Sequence, residues 1–259
     1  MLNLSEKYEF FKAKILEALE NAKNLSKLEN LKIVSIFVTK FIIFFNCFLF
    51  ALFFFIAIYL KIFNPTITPL MVYRVGFGLS KLHAPTFIPY ENIPQDFKNL
   101  VLCVEDQNFY QHHGFDISAI NQAITSKMKT GKYTHGASTL TQQLARTLCL
   151  TPHRNFFRKY IELIAAVEFD FILGKQRVLE LYLNAIEWGD NVYGLSDASQ
   201  FHYNKSFLTL SQDEKIKLVT IIASPVKYNV RNFASNRILK KRNQFLRRYG
   251  YRWYPQPNN

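Results

Sequence analysis

The sequence is short of cysteine, proline, glycine and acidic side chains. Three cysteines in 259 residues cannot staple a small disulfide scaffold. An apolar fraction of 49% with 16% aromatics excludes a disordered chain. No internal repeat is present, and no alternating apolar–polar pattern persists beyond a few residues, so the chain reads as predominantly α-helical. Nineteen Asp and Glu against 32 Lys and Arg leave a net charge of +13. The length accommodates one or two domains, and a domain of about 200 residues buries a full core unaided.

Charge is absent altogether from Phe41 to Leu60, between Lys40 and Lys61. A helix of that length reaches roughly 30 Å, the thickness of a bilayer's hydrocarbon core. A soluble core helix carries one apolar stripe rather than an apolar circumference, so the run is read as a transmembrane anchor. Lys23, Lys27, Lys32 and Lys40 precede it, whereas only Lys61 and Arg74 follow within twenty residues. The more basic flank stays cytoplasmic, which places the N-terminus inside and the rest of the chain outside. The run is too long and too far from Met1 for a cleaved signal peptide, and no A-x-A-like site follows it. Residues 1–63 hold 8 basic and 5 acidic side chains, leaving 24 and 14, a net +10, for residues 64–259. A basic domain outside the cytoplasm meets anionic headgroups and lipid phosphates rather than nucleic acid. Cys103 and Cys149 lie in apolar contexts and read as small hydrophobes.

The chain thus reads as four segments. Residues 1–40 form a cytoplasmic stretch in which Leu4, Tyr8, Phe11, Ile15 and Leu19 mark an amphipathic helix. Residues 41–63 are the anchor. Residues 64–94 hold Pro65, Pro69, Pro85, Pro89 and Pro94 and are expected to be an extended connector. Residues 95–259 are the domain proper. Within it helical periods dominate: Leu140, Leu144 and Leu148 share a face, a long amphipathic run ends at Gly174, and Ser211 with Glu214 has capping-box spacing.

Several residues could do chemistry. Glu105 and Asp106 follow an apolar stretch, where desolvation suits a carboxyl group to proton transfer. His112 lies two turns beyond Glu105 if the segment is helical. On residue types alone, a surface acidic pair and a turn-forming histidine explain the same letters. Thr139 with Gln142 fits a capping box after Gly136, and Ser138 and Thr141 add hydroxyls to a helix N-terminus that could hold an anion. Gln143 and Arg146 face away from the leucines. Arg158 and Lys159 lie within reach of Glu162, either as a surface salt-bridge cluster or as a site for a diphosphate. Lys175, Glu180 and Asn184 sit in a further helical run.

Taken in order, four blocks decide between these alternatives. They are EDxxFxxHxG (Glu105, Asp106, Phe109, His112, Gly114), GxSTxTQQ (Gly136 to Gln143), RKxxE (Arg158, Lys159, Glu162) and KxxxLExYLN (Lys175 to Asn184). Together they resemble the signature blocks of the monofunctional biosynthetic peptidoglycan glycosyltransferases, with looser similarity over residues 70–245 that includes Tyr203 to Lys205. The resemblance implies a lysozyme-like, mostly helical domain behind a single transmembrane helix in the bacterial inner membrane. It implies polymerisation of lipid II with release of undecaprenyl pyrophosphate. Glu105 takes the family's general-base position and Glu162 that of its second glutamate, with Arg158 and Lys159 receiving the leaving group. Asp106, Phe109, His112, Gly114, Ser138, Thr139, Thr141, Gln142, Gln143, Arg146, Glu180 and Asn184 fall on the family's substrate-binding blocks. Mg²⁺ or Mn²⁺ is compatible with such a site, no organic cofactor is implied, and the partners implied are lipid II, the growing glycan, the membrane and other cell-wall or division proteins. Arg146–Thr147 replaces the family's usual Lys-Asn, Val230 stands where proline is common, and the last block is reduced to Arg237 and Leu239.

Other assignments fit less well. Ser224-x-x-Lys227 and Lys129-Thr130-Gly131 match transpeptidase motifs in the wrong order. A lytic muramidase has no need of RKxxE or an anchor, and a silent scaffold has no need of both glutamates. Between the first two blocks, residues Ile117 to His135 mix Ile120, Ile124 and Met128 with Lys127, Lys129 and Lys132. This segment is expected either to dip into the outer leaflet as a flap or to be an ordinary solvated helix.

Overall fold

The computed structural model describes residues 4–76, 83–131, 136–153 and 155–255. The chain divides into two compact units, residues 1–49 and 50–259. A single helix, α1 (Leu4–Ile62), runs through the amphipathic segment and the apolar run without a break. The reason is local, since neither proline nor glycine occurs between Leu4 and Ile62. Its stretch Glu29–Ile62 is long and apolar enough to cross a membrane. Asn46, the polar exception, satisfies its amide by donating to the Ile42 carbonyl at 2.8 Å. On the amphipathic segment Tyr8, Phe11, Ile15 and Leu19 are all exposed.

The proline-rich connector is less extended than its composition suggests. Pro69 opens a short helix, α2 (Pro69–Gly76), and a 3₁₀ turn spans Tyr90–Asn92. Proline at the first helical position loses no hydrogen bond and has its φ already set. The Thr68 hydroxyl accepts from the Met71 amide at 3.3 Å. Residues 77–82 lie outside the described residues.

Helices dominate the remainder of the chain: α3 (Gln95–Glu105), α4 (Ile117–Thr130), α5 (Leu140–Cys149), α6 (Phe156–Ala185), α7 (Leu195–Tyr203), α8 (Gln212–Ile221) and α9 (Arg237–Tyr249). The expected capping box of α5 (Thr139, Gln142) is present, as is that of α8 (Ser211, Glu214). Gly174 adopts φ 76° and ψ 163°, so α6 is two helices joined across a kink, and the first of them ends at Gly174 as the sequence suggests. One antiparallel hairpin, β1 (Glu187–Gly189) and β2 (Val192–Tyr193), turns through Asp190 and Asn191, the latter at φ 56°. Its strands are buried on both faces, so no alternation announces them in the sequence.

Among the described residues Trp188, Tyr182, Tyr193, Phe97, Phe109 and Phe169 are the largest fully buried side chains, and Leu100, Leu102, Leu140 and Leu144 are buried as well. The α5 helix lies along α6, while α3 packs on α8 and α9. Cys103 is a free buried thiol, and burial pushes its pKa up to about 11 despite the nearby Arg242, which makes it an inert hydrophobe as its sequence context suggests.

Gly114 holds φ +82°, and a Cβ there would sit 2.6 Å from the Ala166 carbonyl oxygen on α6. Gly114→Ala is therefore expected to destabilise the domain by on the order of 1–3 kcal/mol, or more if α6 cannot yield. Thermal unfolding of the purified protein checks this, with an unchanged midpoint as the contrary result.

Candidate active site

The site is assembled on the first turn of α5. Glu105 ends α3, and Asp106 breaks it with φ −160° and ψ 81°. The segment after Glu105 is not helical, so His112 returns to Asp106 rather than to Glu105. Its Nε2 lies 3.0 and 2.9 Å from the two Asp106 carboxylate oxygens. Asp106 also accepts from the Leu140 amide at 2.8 Å, and the Thr139 hydroxyl donates to the Gly114 carbonyl at 2.7 Å. The first block is thereby clamped to the N-terminus of α5. Phe109 is fully buried beneath it.

Lys175 closes the other side of this clamp. Its ammonium donates to the His112 carbonyl at 2.5 Å and to Asp170 at 2.6 Å, and it lies 4.8 Å from the centre of the Phe109 ring. Thr141 donates to the same Asp170 carboxylate at 3.2 Å. Asp106, His112, Gly114, Thr139 and Thr141 thus make a protein-to-protein lattice under the site.

Two consecutive residues of α5 then reach Glu105 and the Lys159 partner of Glu162. The Gln143 amide donates to Glu105 at 2.9 Å, and its oxygen accepts from the Tyr182 hydroxyl at 3.1 Å. Gln142 accepts from the Lys159 ammonium at 3.0 Å. Lys159 also donates to Ser138 at 3.0 Å and to Glu162 at 2.5 Å. Arg158 donates to the other Glu162 oxygen at 2.5 Å. Glu162 is completely buried, with Arg158 13% and Lys159 42% exposed. Cations placed between a buried carboxylate and solvent are a different object from a surface salt bridge, because they neutralise a Glu162 that has no water to solvate it.

Glu105 has a second partner that the sequence did not announce. Arg242 of α9 forms an ion pair with its carboxylate and donates to the Val219 carbonyl at 3.1 Å. A signal existed. Leu239, Asn243 and Leu246 form the buried face of α9, and Arg242 lies three residues from Leu239 and four from Leu246, which sets an arginine beside a core-facing stripe. Tyr182, fully buried on α6, has its phenol pKa pushed up, first by burial and then by the Glu105 charge; it stays a neutral hydrogen-bond donor.

Glu180 and Asn184 are not gathered with these groups. Glu180 accepts from the Tyr90 amide at 2.8 Å and from Arg177 at 2.6 Å, and Asn184 exchanges hydrogen bonds of 2.7 and 2.8 Å with Ile88. They fasten the connector to α6. Arg146 is half-buried near Tyr182. Both Glu162 oxygens carry a cation, and among the described residues no three His, Cys, Asp or Glu side chains converge.

Comparison with known proteins identifies the family. A family model described as Transglycosylase matches residues 77–249. A biosynthetic peptidoglycan transglycosylase of Thiobacillus denitrificans is 37% identical over 163 residues, 63% of this chain and 69% of the relative. The protein of that name from Haemophilus influenzae is 35% identical over 212 residues, covering 79% and 84% respectively. That from Shewanella frigidimarina is 40% identical over 146 residues, covering 56% and 64%. With the family model spanning most of the chain and both glutamates inside the matched region, the chain belongs to the transglycosylase family, enzymes of peptidoglycan synthesis.

Proposed function

We propose that this protein is a membrane-anchored inverting glycosyltransferase that polymerises lipid II into β-1,4-linked glycan, with Glu105 as general base and Arg158 and Lys159 as the diphosphate receptors. The observation that carries this reading is the pair Gln142–Gln143. Adjacent residues on one turn contact the carboxylate of Glu105 on one side and the Lys159–Glu162 cluster on the other, so a base and a cationic site flank the same few ångströms of helix.

In the proposed reaction the acceptor's 4-hydroxyl oxygen attacks the anomeric carbon of the lipid-linked donor. The new glycosidic C–O bond forms as the bond from that carbon to the diphosphate oxygen breaks. The hydroxyl proton passes to Glu105, and the electron pair of the broken bond leaves on undecaprenyl pyrophosphate. Gln143 and Arg242 orient the Glu105 carboxylate while leaving it lone pairs for the hydroxyl. Charge grows on the departing diphosphate, and Lys159 and Arg158 lie where that growth is stabilised more than the ground state. Glu162 keeps the two cations in place.

The membrane supplies the substrate. With the N-terminus cytoplasmic, as the lysine bias directs, residues beyond Phe63 lie on the outer face of the inner membrane, where a lipid-linked sugar is presented. On α4, Ile117, Ile124 and Met128 are exposed, in keeping with a segment that dips into the outer leaflet. Lys132 and His135 of that stretch lie outside the described residues.

Purified full-length protein incubated with radiolabelled lipid II should yield polymer that muramidase digests. Glu105→Gln should lower turnover by about 10²–10⁴-fold, and polymer at the wild-type rate would sink the assignment of the base. Lys159→Met should weaken binding of moenomycin, a mimic of the lipid-linked donor, by roughly 10- to 100-fold, whereas Glu105→Gln should leave that affinity nearly unchanged. Fluorescence titration separates the two roles, and equal losses in both variants would refute the division between base and diphosphate site.

A further inference from the structure

One carboxyl group is left without a partner where α1 runs beside α6. Phe50, Ala51 and Phe54 of α1 and Val167, Glu168, Phe171 and Ile172 of α6 line an open groove. The Glu168 Oε1 atom is buried and accepts no hydrogen bond. Arg177 donates to the Leu60 and Phe63 carbonyls, at 2.9 Å in each case, at the end of α1, so from the groove to Arg177 α6 advances along α1 in the same chain direction. Counted back from Ile62, Phe54 and Phe50 lie roughly 12 and 18 Å along the helix, inside the charge-free run. The groove therefore opens toward hydrocarbon.

Among the described residues no charged group pairs with Glu168. Its neighbours one turn away on α6 are Ile164, Ala165, Phe171 and Ile172, and those on α1 are Phe50, Ala51 and Phe54. Asp170, close by in sequence, is committed to Lys175. Burial by itself pushes the Glu168 pKa up to about 7. A carboxyl group facing lipid has to hold a proton or meet a donor.

The chemistry of the protonated form selects the occupant. A carboxylic acid carries one O–H donor and a carbonyl acceptor, so its complement is another carboxylic acid. Copies of one anchored chain share one orientation in the membrane. A two-fold axis between them then runs along the membrane normal and brings like residues together at equal depth. Exposed rings surround the group, with Phe171 89%, Phe50 49% and Phe54 47% accessible.

We propose that this face of α1 and α6 is a homodimer interface, in which the Glu168 carboxyl groups of two copies hydrogen-bond to each other. It rests on the membrane-spanning reading of α1 and is independent of the roles given to Glu105 and Glu162. The paired acid holds its proton more tightly than the single one, so association is strongest at low pH and fades as pH rises through the folded pKa.

The test uses full-length protein, labelled at the N-terminus with donor or acceptor fluorophores and diluted into phosphatidylcholine vesicles. Wild-type energy transfer should fall as pH rises through about 7. Glu168→Gln keeps a donor and an acceptor without titrating, so transfer should persist at every pH. Glu168→Leu should weaken association by roughly 3- to 30-fold. Phe171→Cys copies, oxidised in the same vesicles, should form disulfide-linked dimers above the wild-type background, which keeps the test independent of how Glu168 variants fold. The proposal is overturned if wild-type chains show no transfer, if Glu168→Leu associates as strongly as wild type, if Glu168→Gln loses association, or if Phe171→Cys gives no dimer band. A partner protein or a lipid covering the groove would produce the first and last of these results.

Discussion

The clamp between Asp106 and the first turn of α5 is the constraint on which the site depends. A carboxylate buried against an imidazole and the Leu140 amide cannot relax toward water without leaving those donors unpaired inside the protein. Holding Asp106 in that position ends α3 at Glu105 and points the glutamate toward Gln143. The same turn sets Ser138 and Gln142 against Lys159. One local decision, the capping of a ten-residue helix, therefore fixes two distant carboxylates relative to each other.

Glu105 and Glu162 have contrasting surroundings. Glu162 is wholly enclosed and has a cation on each oxygen, so its free energy is tied to keeping both partners. Glu105 lies at the edge of the core, held by one amide and one guanidinium. A buried, doubly paired carboxylate suits a supporting role, whereas one at an edge can exchange a proton with something that arrives from outside. The difference follows from environment alone, since the side chains are chemically identical.

Charge and apolarity are also divided along the chain. The apolar run of α1 ends where Arg177 gathers the last carbonyls of the helix, which joins α1 to α6 within the unit of residues 50–259 through a fork of donors rather than a loose tether. Because α6 also carries Arg158, Lys159 and Glu162, one helix links the surface beside the end of α1 to the cationic pair. Its kink at Gly174 separates the half that holds these groups from the half that Glu180 and Asn184 fasten to the connector.

Local chemistry was enough to read a helix long and apolar enough to cross a membrane, the two capping boxes, the helical character of the domain and the pairing of Arg158 and Lys159 with Glu162. Each rests on composition or on spacings of three and four residues, which a helix converts directly into proximity. The return of His112 to Asp106, the burial of Glu162, the hairpin at Glu187 to Tyr193 and the helix opened by Pro69 needed the fold. Arg242 needed it most, because 137 residues separate it from Glu105 and no periodicity connects them. The sequence by itself determined which side chains could carry charge and where the periodic helices of the domain would form. Only tertiary packing decided which charges met, because an ion pair between distant segments forms only where the burial of apolar faces brings those segments together.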